Sequence, residues 1–238
     1  IFLKEEDYKE HYIEKAGVAF KPENRPLVDR FRNRVMFPIS NLDDRVVAFG
    51  GRLLNSSYGA KYINSAETKV FKKGSLLFNL GNAQKNIRNN SLLIVEGYMD
   101  VITLANNSIN NVVAPLGTAL TKEQLQLIWR VSEEPILLLD GDNAGRLAVS
   151  RVIELALPLI SYNQTLRIAN LPSNYDPDDL IKQYGKEALE DVIENSQTLS
   201  EFIFIREKSR RKLDSPERLR RLHVELRNKL QKIKDVNL

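Results

Sequence analysis

The chain has 238 residues, 42% of them hydrophobic and 28% charged, with a formal net charge of +4. That balance suits a globular chain folding as one large or two modest domains. No apolar run nears the ~20 residues of a membrane span, no secretory signal opens the chain, and zero Cys removes disulfides, zinc–cysteine sites and thiol nucleophiles.

Residues 4–17 have weak helical spacing. From Arg30 the pattern turns to alternation, which sets Arg30, Arg32 and Arg34 on one face if the segment is extended. RVMFPI (34–39) and RVVAFG (45–50) flank SNLDD and read as a hairpin, broken afterwards by Gly50-Gly51. Residues 52–82 read as irregular. From Leu92 the pattern changes. Apolar strands at 92–97, 111–117, 135–140 and 165–172 alternate with helices at 98–107, 121–131, 143–160 and after Pro177. Thr121 is the expected N-cap of the second of these helices. Such alternation predicts right-handed βαβ crossovers and a parallel sheet covered on both faces. Residues 185–238 read as helical throughout, with Leu219, Leu222, Leu226 and Leu230 as a packing stripe. The fold class is therefore α/β, α+β overall. A partial basic subdomain (1–90) precedes a Rossmann-like parallel-sheet domain (91–184), and a helical subdomain (185–238) follows.

Charge is distributed unevenly. Arg and Lys crowd 25–34, 61–73 and 206–234, while acids gather at the ends of apolar runs between 96 and 179. A basic margin beside an acidic centre suggests a polyanionic partner together with a metal. The only histidines, His11 and His223, stand far apart in polar stretches and read as surface residues, which leaves a Ser-His-Asp hydrolase without support.

In open parallel sheets, ligands sit outside the carboxyl ends of the strands. Glu96 ends the first strand, Asp140 and Asp142 the third, and Asp176, Asp178 and Asp179 follow the fourth. Each has a second reading. Asp142 and Asp176 can cap the helices they precede, and Asp100 suits a first helical turn. For any one residue, cap and ligand stand level. The agreement of three strand ends favours a divalent cation held by hard oxygen ligands. An EF-hand loop from Asp140 fails, because Ala144 and Arg151 occupy positions that need oxygen ligands. No phosphate-binding P-loop is present.

VEGYMDV (95–101), LLLDGDNAGR (137–146) and DPDDLI (176–181) together resemble the metal-binding core of the TOPRIM domain. With RFRNRVMFPI (30–39), FGGRLL (49–54) and AKYINSAET (60–68) upstream, the chain is similar to bacterial replicative primases of the DnaG type. The resemblance covers about Asp29 to about Asp191. It implies Glu96, Asp140 and Asp142 as catalytic acids and metal ligands, Asp176 and Asp178 as further ligands, and Asp100 as a supporting acid. It implies that Arg30, Arg32, Arg52, Lys61 and Lys73 line a template and nucleotide groove, with Asn64 in the same block. Arg146 faces either the same phosphates or solvent.

The implied activity is synthesis of RNA primers on single-stranded DNA from ribonucleoside triphosphates, with Mg²⁺ or Mn²⁺ and no zinc in this segment. The implied setting is a cytoplasmic monomer that reaches a replicative helicase through a domain missing here. The start at Ile1 instead of Met reads as an excised central fragment. Two other classes stay open: a TOPRIM nuclease and a non-catalytic single-strand-binding module. Of the nearby aromatics, Phe31 and Tyr62 are candidates to stack bases, and Phe37, ahead of a Pro in an apolar strand, reads as core.

Overall fold

Four short apolar runs, each followed by a helix, organise the middle of the chain. In the computed structural model, which describes residues 2–55, 59–87, 92–117, 119–235 and 237–238, they are β6 (Leu93–Ile94), β7 (Val112–Val113), β8 (Ile136–Leu139) and β9 (Arg167–Asn170). All are parallel, in the order β9-β8-β6-β7. The hydrogen-bonded strands are shorter than the apolar runs that signalled them. The intervening helices are α4 (Tyr98–Asn106), α5 (Lys122–Trp129) and α6 (Asn143–Ala156), with α7 (Pro177–Tyr184) after β9.

Side chains alternate across the sheet as strand geometry requires. Ile94, Val113, Leu137, Leu139 and Ile168 join one buried cluster with residues of α5 and α6. Leu93, Val112, Ile136, Leu138 and Ala169 join another with Val101 and Leu104 of α4 and Leu180 of α7. Both faces are thus dry, which explains runs without polar alternation. From β6 the chain steps to β7 on one side, and β8 and β9 lie on the other. The order therefore reverses at β6/β8, the kind of point where open sheets form a crevice at their carboxyl edge.

The carboxy-terminal part is not helical throughout. After α8 (Lys186–Glu194), β10 (Gln197–Thr198) adds antiparallel to β9 and makes the sheet five-stranded. Only then come α9 (Leu199–Ser209) and α10 (Pro216–Leu230). The leucine stripe is half used: Leu222 is buried and Leu226 packs on the core, while Leu219 and Leu230 are exposed. The stripe is periodic, but only part of it meets apolar partners; near its end α10 is held instead by the Lys229–Glu154 ion pair to α6 at 2.8 Å.

The amino-terminal part holds a hairpin, β3 (Arg34–Ser40) with β4 (Val46–Leu53), extended by β5 (Tyr62–Asn64) into a three-stranded antiparallel sheet. Gly50-Gly51 does not break the strand. Both residues pair with β3 on one side and β5 on the other. A Cβ on Gly50 would come within 2.9 Å of the Tyr98 ring, and one on Gly51 within 2.8 Å of the Phe31 ring. These glycines serve close packing by rings, not chain reversal.

The stretch 52–82 is also more ordered than expected. Besides β5 it contains a 3₁₀ turn at Lys73–Ser75 and α3 (Leu80–Asn86). At the start, the helical spacing splits into α1 (Phe2–Glu5) and α2 (Glu10–Lys15), separated by Asp7 at a φ of 61°. Strands β1 (Ala19–Phe20) and β2 (Val28–Asp29) then form a small ribbon. Arg30, Arg32 and Arg34 do not share a strand face. Only Arg34 lies in β3, and Asn33 takes a φ of 50°, which turns the chain between them. The expected division between residues 90 and 91 lies outside the described residues.

One buried contact joins the two sheets. Tyr98, at the start of α4, stacks on Phe37 with ring centroids 5.5 Å apart and meets the edge of Phe78 at 4.8 Å. Its hydroxyl donates to Asn64 Oδ1 of β5. Asn64 Nδ2 donates to the Leu116 carbonyl at 2.8 Å, and Arg30 Nε donates to the Asn64 carbonyl at 2.8 Å. Burial, opposed by the Asn64 bond, pushes the Tyr98 phenol up to about 12, so it stays a neutral donor. Tyr98→Phe keeps the ring packing but strands the buried Asn64 oxygen. It should cost about 1–3 kcal/mol of unfolding free energy, measured as a lower urea midpoint at unchanged slope.

Candidate metal and nucleotide site

The carboxylates arrive at the sheet's carboxyl edge by separate routes. Glu96 lies two residues past the end of β6, and Asp140 directly follows β8, the neighbour of β6 at the reversal of strand order. The two meet: the Asp140 backbone N–H donates to Glu96 Oε1 at 3.3 Å. Asp142 is the N-cap of α6 and accepts from the Gly145 N–H at 2.7 Å. Asp176 is the N-cap of α7 and accepts from the Asp179 N–H at 2.7 Å. Asp100 completes a capping arrangement at α4 by accepting from the Gly97 N–H at 2.9 Å. Thr121 caps α5 as expected. The capping readings of the acids therefore hold. Each such bond uses one carboxylate oxygen and leaves the other available.

Gly141 holds this geometry by permitting a close backbone approach. A Cβ there would lie 2.0 Å from the Pro172 carbonyl oxygen, and one on Gly145 would lie 2.1 Å from the Asp140 carbonyl oxygen. The backbone after β8 presses on the loop after β9, where the Gly141 N–H donates to the Tyr175 carbonyl at 2.9 Å. That contact brings the acids after the two strands close to one another.

Their proximity shows in their acidity. Burial, then the charges of Glu96, Asp100, Asp176 and Asp142, push Asp140 up to about 7. Burial pushes Asp100 up to about 6; the Gly97 bond opposes this, and Asp176, Glu96 and Asp178 reinforce it. Glu96 is raised by partial desolvation of its carboxyl and by Asp142, against the Asp140 bond. The oxygens of Asp176, Asp178 and Asp179 lie within 4.8 Å of one another. Asp178 also pairs with Lys182 one helical turn on, and Thr103 donates to it at 3.4 Å. An all-carboxylate set of this kind fits a hard divalent cation, and a cation would relieve the repulsion that raises these groups.

Facing the acids is a basic wall. A cleft of about 640 Å³ is lined by Arg30, Lys61, Asn64 and Lys73 on one side and by Glu96, Asp100 and Asp140 on the other. Among the described residues, no carboxylate lies in ion-pair reach of Arg30, Arg52, Lys61 or Lys73. Tyr62, 38% exposed, also lines the cleft, with Arg52 at 5.7 Å and Lys61 at 5.9 Å from its ring centre. Phe37 is core, and Phe31 lies against Gly51.

The remaining residues lie elsewhere. Asn64 is on the cleft wall, but its amide is engaged by Tyr98 and Leu116. Arg32 is exposed and lines no cleft with the others. Arg146 lies on the far side of Asp140, in a second cleft. His11 and His223 are exposed. Sequence reasoning did not single out Tyr98 as the joint of the site; its one available signal was a tyrosine at a helix start directly after a strand-end acid.

Two family models match the chain. One, described as DNA primase catalytic core, N-terminal domain, covers residues 1–84. The other, described as Toprim-like, covers 93–181. The DNA primase of Haemophilus influenzae is 46% identical over 189 residues, 79% of this chain and 32% of that protein. The DNA primase of Escherichia coli K12 is 46% identical over 190 residues, with the same shares. The chain thus spans about a third of the length of these relatives. A DNA primase domain from Pseudomonas aeruginosa matches with a TM-score of 0.87 at 36% identity, over 95% of this chain and 71% of that one. A DnaG primase catalytic domain solved bound to single-stranded DNA matches at 0.86 and 38%, over 99% and 77%.

The raised acids set a pH dependence. Asp140 titrates near 7 when folded and near ~3.9 when unfolded. The folded state therefore holds the extra proton between these values. Its contribution to stability is full below about pH 4 and is lost as pH rises through about 7. Without divalent metal, the protein should lose stability across that window. Asp140→Asn should flatten the fall, leaving the shallower part from Asp100 below about 6. Thermal melts at pH 4.5 and 7.5 measure both, and a variant as pH-sensitive as the parent would refute the raised titration of Asp140.

Proposed function

The chain belongs to the DnaG-type DNA primase catalytic-core family, and from that premise we propose that it is the central part of an RNA-primer-synthesising polymerase. Residues 1–90 are its basic subdomain and 91–184 its metal-binding domain, and 185–238 form a mostly helical part that lends β10 to the sheet of that domain. It joins ribonucleoside triphosphates along single-stranded DNA to make a primer. The observation that carries this reading is the shared cleft, in which unpaired cations face unneutralised carboxylates. Phosphates would meet the first and divalent metal the second.

In this reading Glu96, Asp140 and Asp142 hold Mg²⁺ or Mn²⁺, and Asp176 and Asp178 complete a second position. Asp100 fixes the turn that carries Glu96. When bound there, the metal lowers the pKa of the attacking 3′-hydroxyl and offsets charge on the phosphoryl oxygens. Arg30, Lys61 and Lys73 hold the triphosphate and the template phosphates. Such contacts position the strand without reading its sequence. Tyr62 offers its ring to a base. No His or Cys is required, because the carboxylates position metal and need not act as nucleophiles. The protein would act in the cytoplasm as a monomer, with a replicative helicase engaged through a domain other than those described. The DnaG catalytic domain bound to single-stranded DNA supports the template role, since the resemblance extends over 99% of this chain.

Asp140→Asn with Asp142→Asn tests the reading. Asn caps a helix about as well as Asp, so α6 and the fold should persist, checked by circular dichroism. Incorporation of labelled ribonucleotide on single-stranded DNA in Mg²⁺ should fall at least a hundredfold, while salt-sensitive DNA binding remains. Undiminished incorporation would sink the proposal. Shortened DNA in place of new RNA would mark the parent protein as a nuclease.

A further inference from the structure

Asp140 stands on a ridge between two clefts. Behind the one already described lies another, of about 660 Å³, between α6, the end of β9 and α9. Its size lies in the range of pockets that take small ligands, roughly 300–1,000 Å³. Its walls are of two kinds. Leu147, Phe202 and Ile205 give an apolar side, with Leu147 and Ile205 exposed at 59% and 48%. Arg146, Arg206 and Arg210 give a cationic side.

The cations are in excess. Glu207 is the acid beside them, and it is shared among Arg206, Arg210 and Arg211 at 3.4, 3.7 and 3.1 Å. Among the described residues, the Arg146 guanidinium bonds to Asn143 alone, at 3.4 Å. Arg206 also bonds to Ser150 of α6 at 3.0 Å, which fixes α9 against α6 and so sets the width of the cleft. An apolar wall alone would fit many occupants. Three arginines beside it fit an anion that also carries a flat apolar group.

We propose that this second cleft binds a ribonucleoside 5′-polyphosphate, with its phosphates on Arg146, Arg206 and Arg210 and its base against Phe202 and Ile205. The inference rests on the polymerase reading and deepens it. The first bond of a new strand joins two separate nucleotides, so both must be held on either side of the reacting phosphorus. The first cleft, with Arg30, Lys61 and Lys73, takes one of them. The second takes the other, and Asp140 lines both. The same chemistry would also admit a regulatory nucleotide that is never incorporated.

Equilibrium dialysis of the chain with ATP and Mg²⁺ tests this. Two equivalents should bind. Arg146→Glu with Arg210→Glu changes two exposed side chains and leaves the Arg206–Ser150 hydrogen bond in place. It should weaken one equivalent roughly a hundredfold, about tenfold for each arginine–phosphate interaction removed. Lys61→Ala with Lys73→Ala should weaken the other. A melt like the parent's shows that each variant is folded. Adding oligo(dT) separates the two sources: it tightens the second equivalent if the occupant pairs with the template, and leaves it unchanged if the occupant is a regulator. A single equivalent, abolished by the Lys61 and Lys73 changes but indifferent to those at Arg146 and Arg210, would overturn this inference and leave the polymerase reading standing. No bound ATP at all would overturn both.

Discussion

Repulsion between carboxylates is the constraint on which the rest of this structure turns. A folded chain does not ordinarily gather Glu96, Asp100, Asp140, Asp142, Asp176 and Asp178 at one sheet edge, because each raises the cost of ionising the next. Here burial, reinforced by the neighbouring carboxylates, pushes Asp140 up to about 7 and Asp100 up to about 6. The cations that could relieve it are kept apart on the other wall of the cleft. Among the described residues, no ion pair neutralises Arg30, Lys61 or Lys73 on one wall, or Glu96, Asp100 or Asp140 on the other. That is an unfavourable arrangement for stability alone and a prepared one for phosphate and metal together.

The fold holds that arrangement through close backbone approach and not through charge pairing. Gly141 and Gly145 let the turn after β8 press on its neighbours at distances no Cβ permits. Tyr98 does the corresponding work between the two sheets, stacked on Phe37 and bonded to Asn64. Glu96 lies two residues before this ring, and Arg30 bonds to the backbone of Asn64. The spacing between the acidic and basic walls is therefore set in part by this buried joint, beside the hydrogen bonds from the Gln124 amide to the Lys73 and Leu76 carbonyls. A shift there would move both walls of the cleft relative to each other, at a site where small displacements matter.

Much of this was legible in the letters. Continuous apolar runs alternating with helices announced the parallel sheet, and acids at three strand ends announced the site. Caps at Thr121, Asp142 and Asp176 could be read because capping is local chemistry. What could not be read depends on partners distant in sequence. Gly50-Gly51 looked like a chain break because the Tyr98 and Phe31 rings that need the space are invisible in a local window. β10 carried no strand signal of its own, and pairing with β9 defines it. Arg30, Arg32 and Arg34 fitted a strand by alternation until the left-handed Asn33 turned them apart. Arg146 stood next to the acids in sequence, yet its position on α6 sends it to the opposite side of Asp140.

Cap and ligand first appeared as rival roles for the same acids, and the geometry removes the rivalry. A carboxylate has two oxygens and several lone-pair directions. At Asp142 and Asp176 one oxygen accepts the helix N–H, which fixes the side-chain rotamer and aims the other oxygen without further support. At Asp100 the same bond to Gly97 fixes the loop that carries Glu96. Capping thus pre-orients the donors before any cation arrives, so less side-chain entropy is lost when one binds. The helix dipole adds in the same sense, since each cap lies at the positive end and offsets part of the repulsion. Acids placed after strands and before helices are therefore both the least costly to assemble and the best aimed.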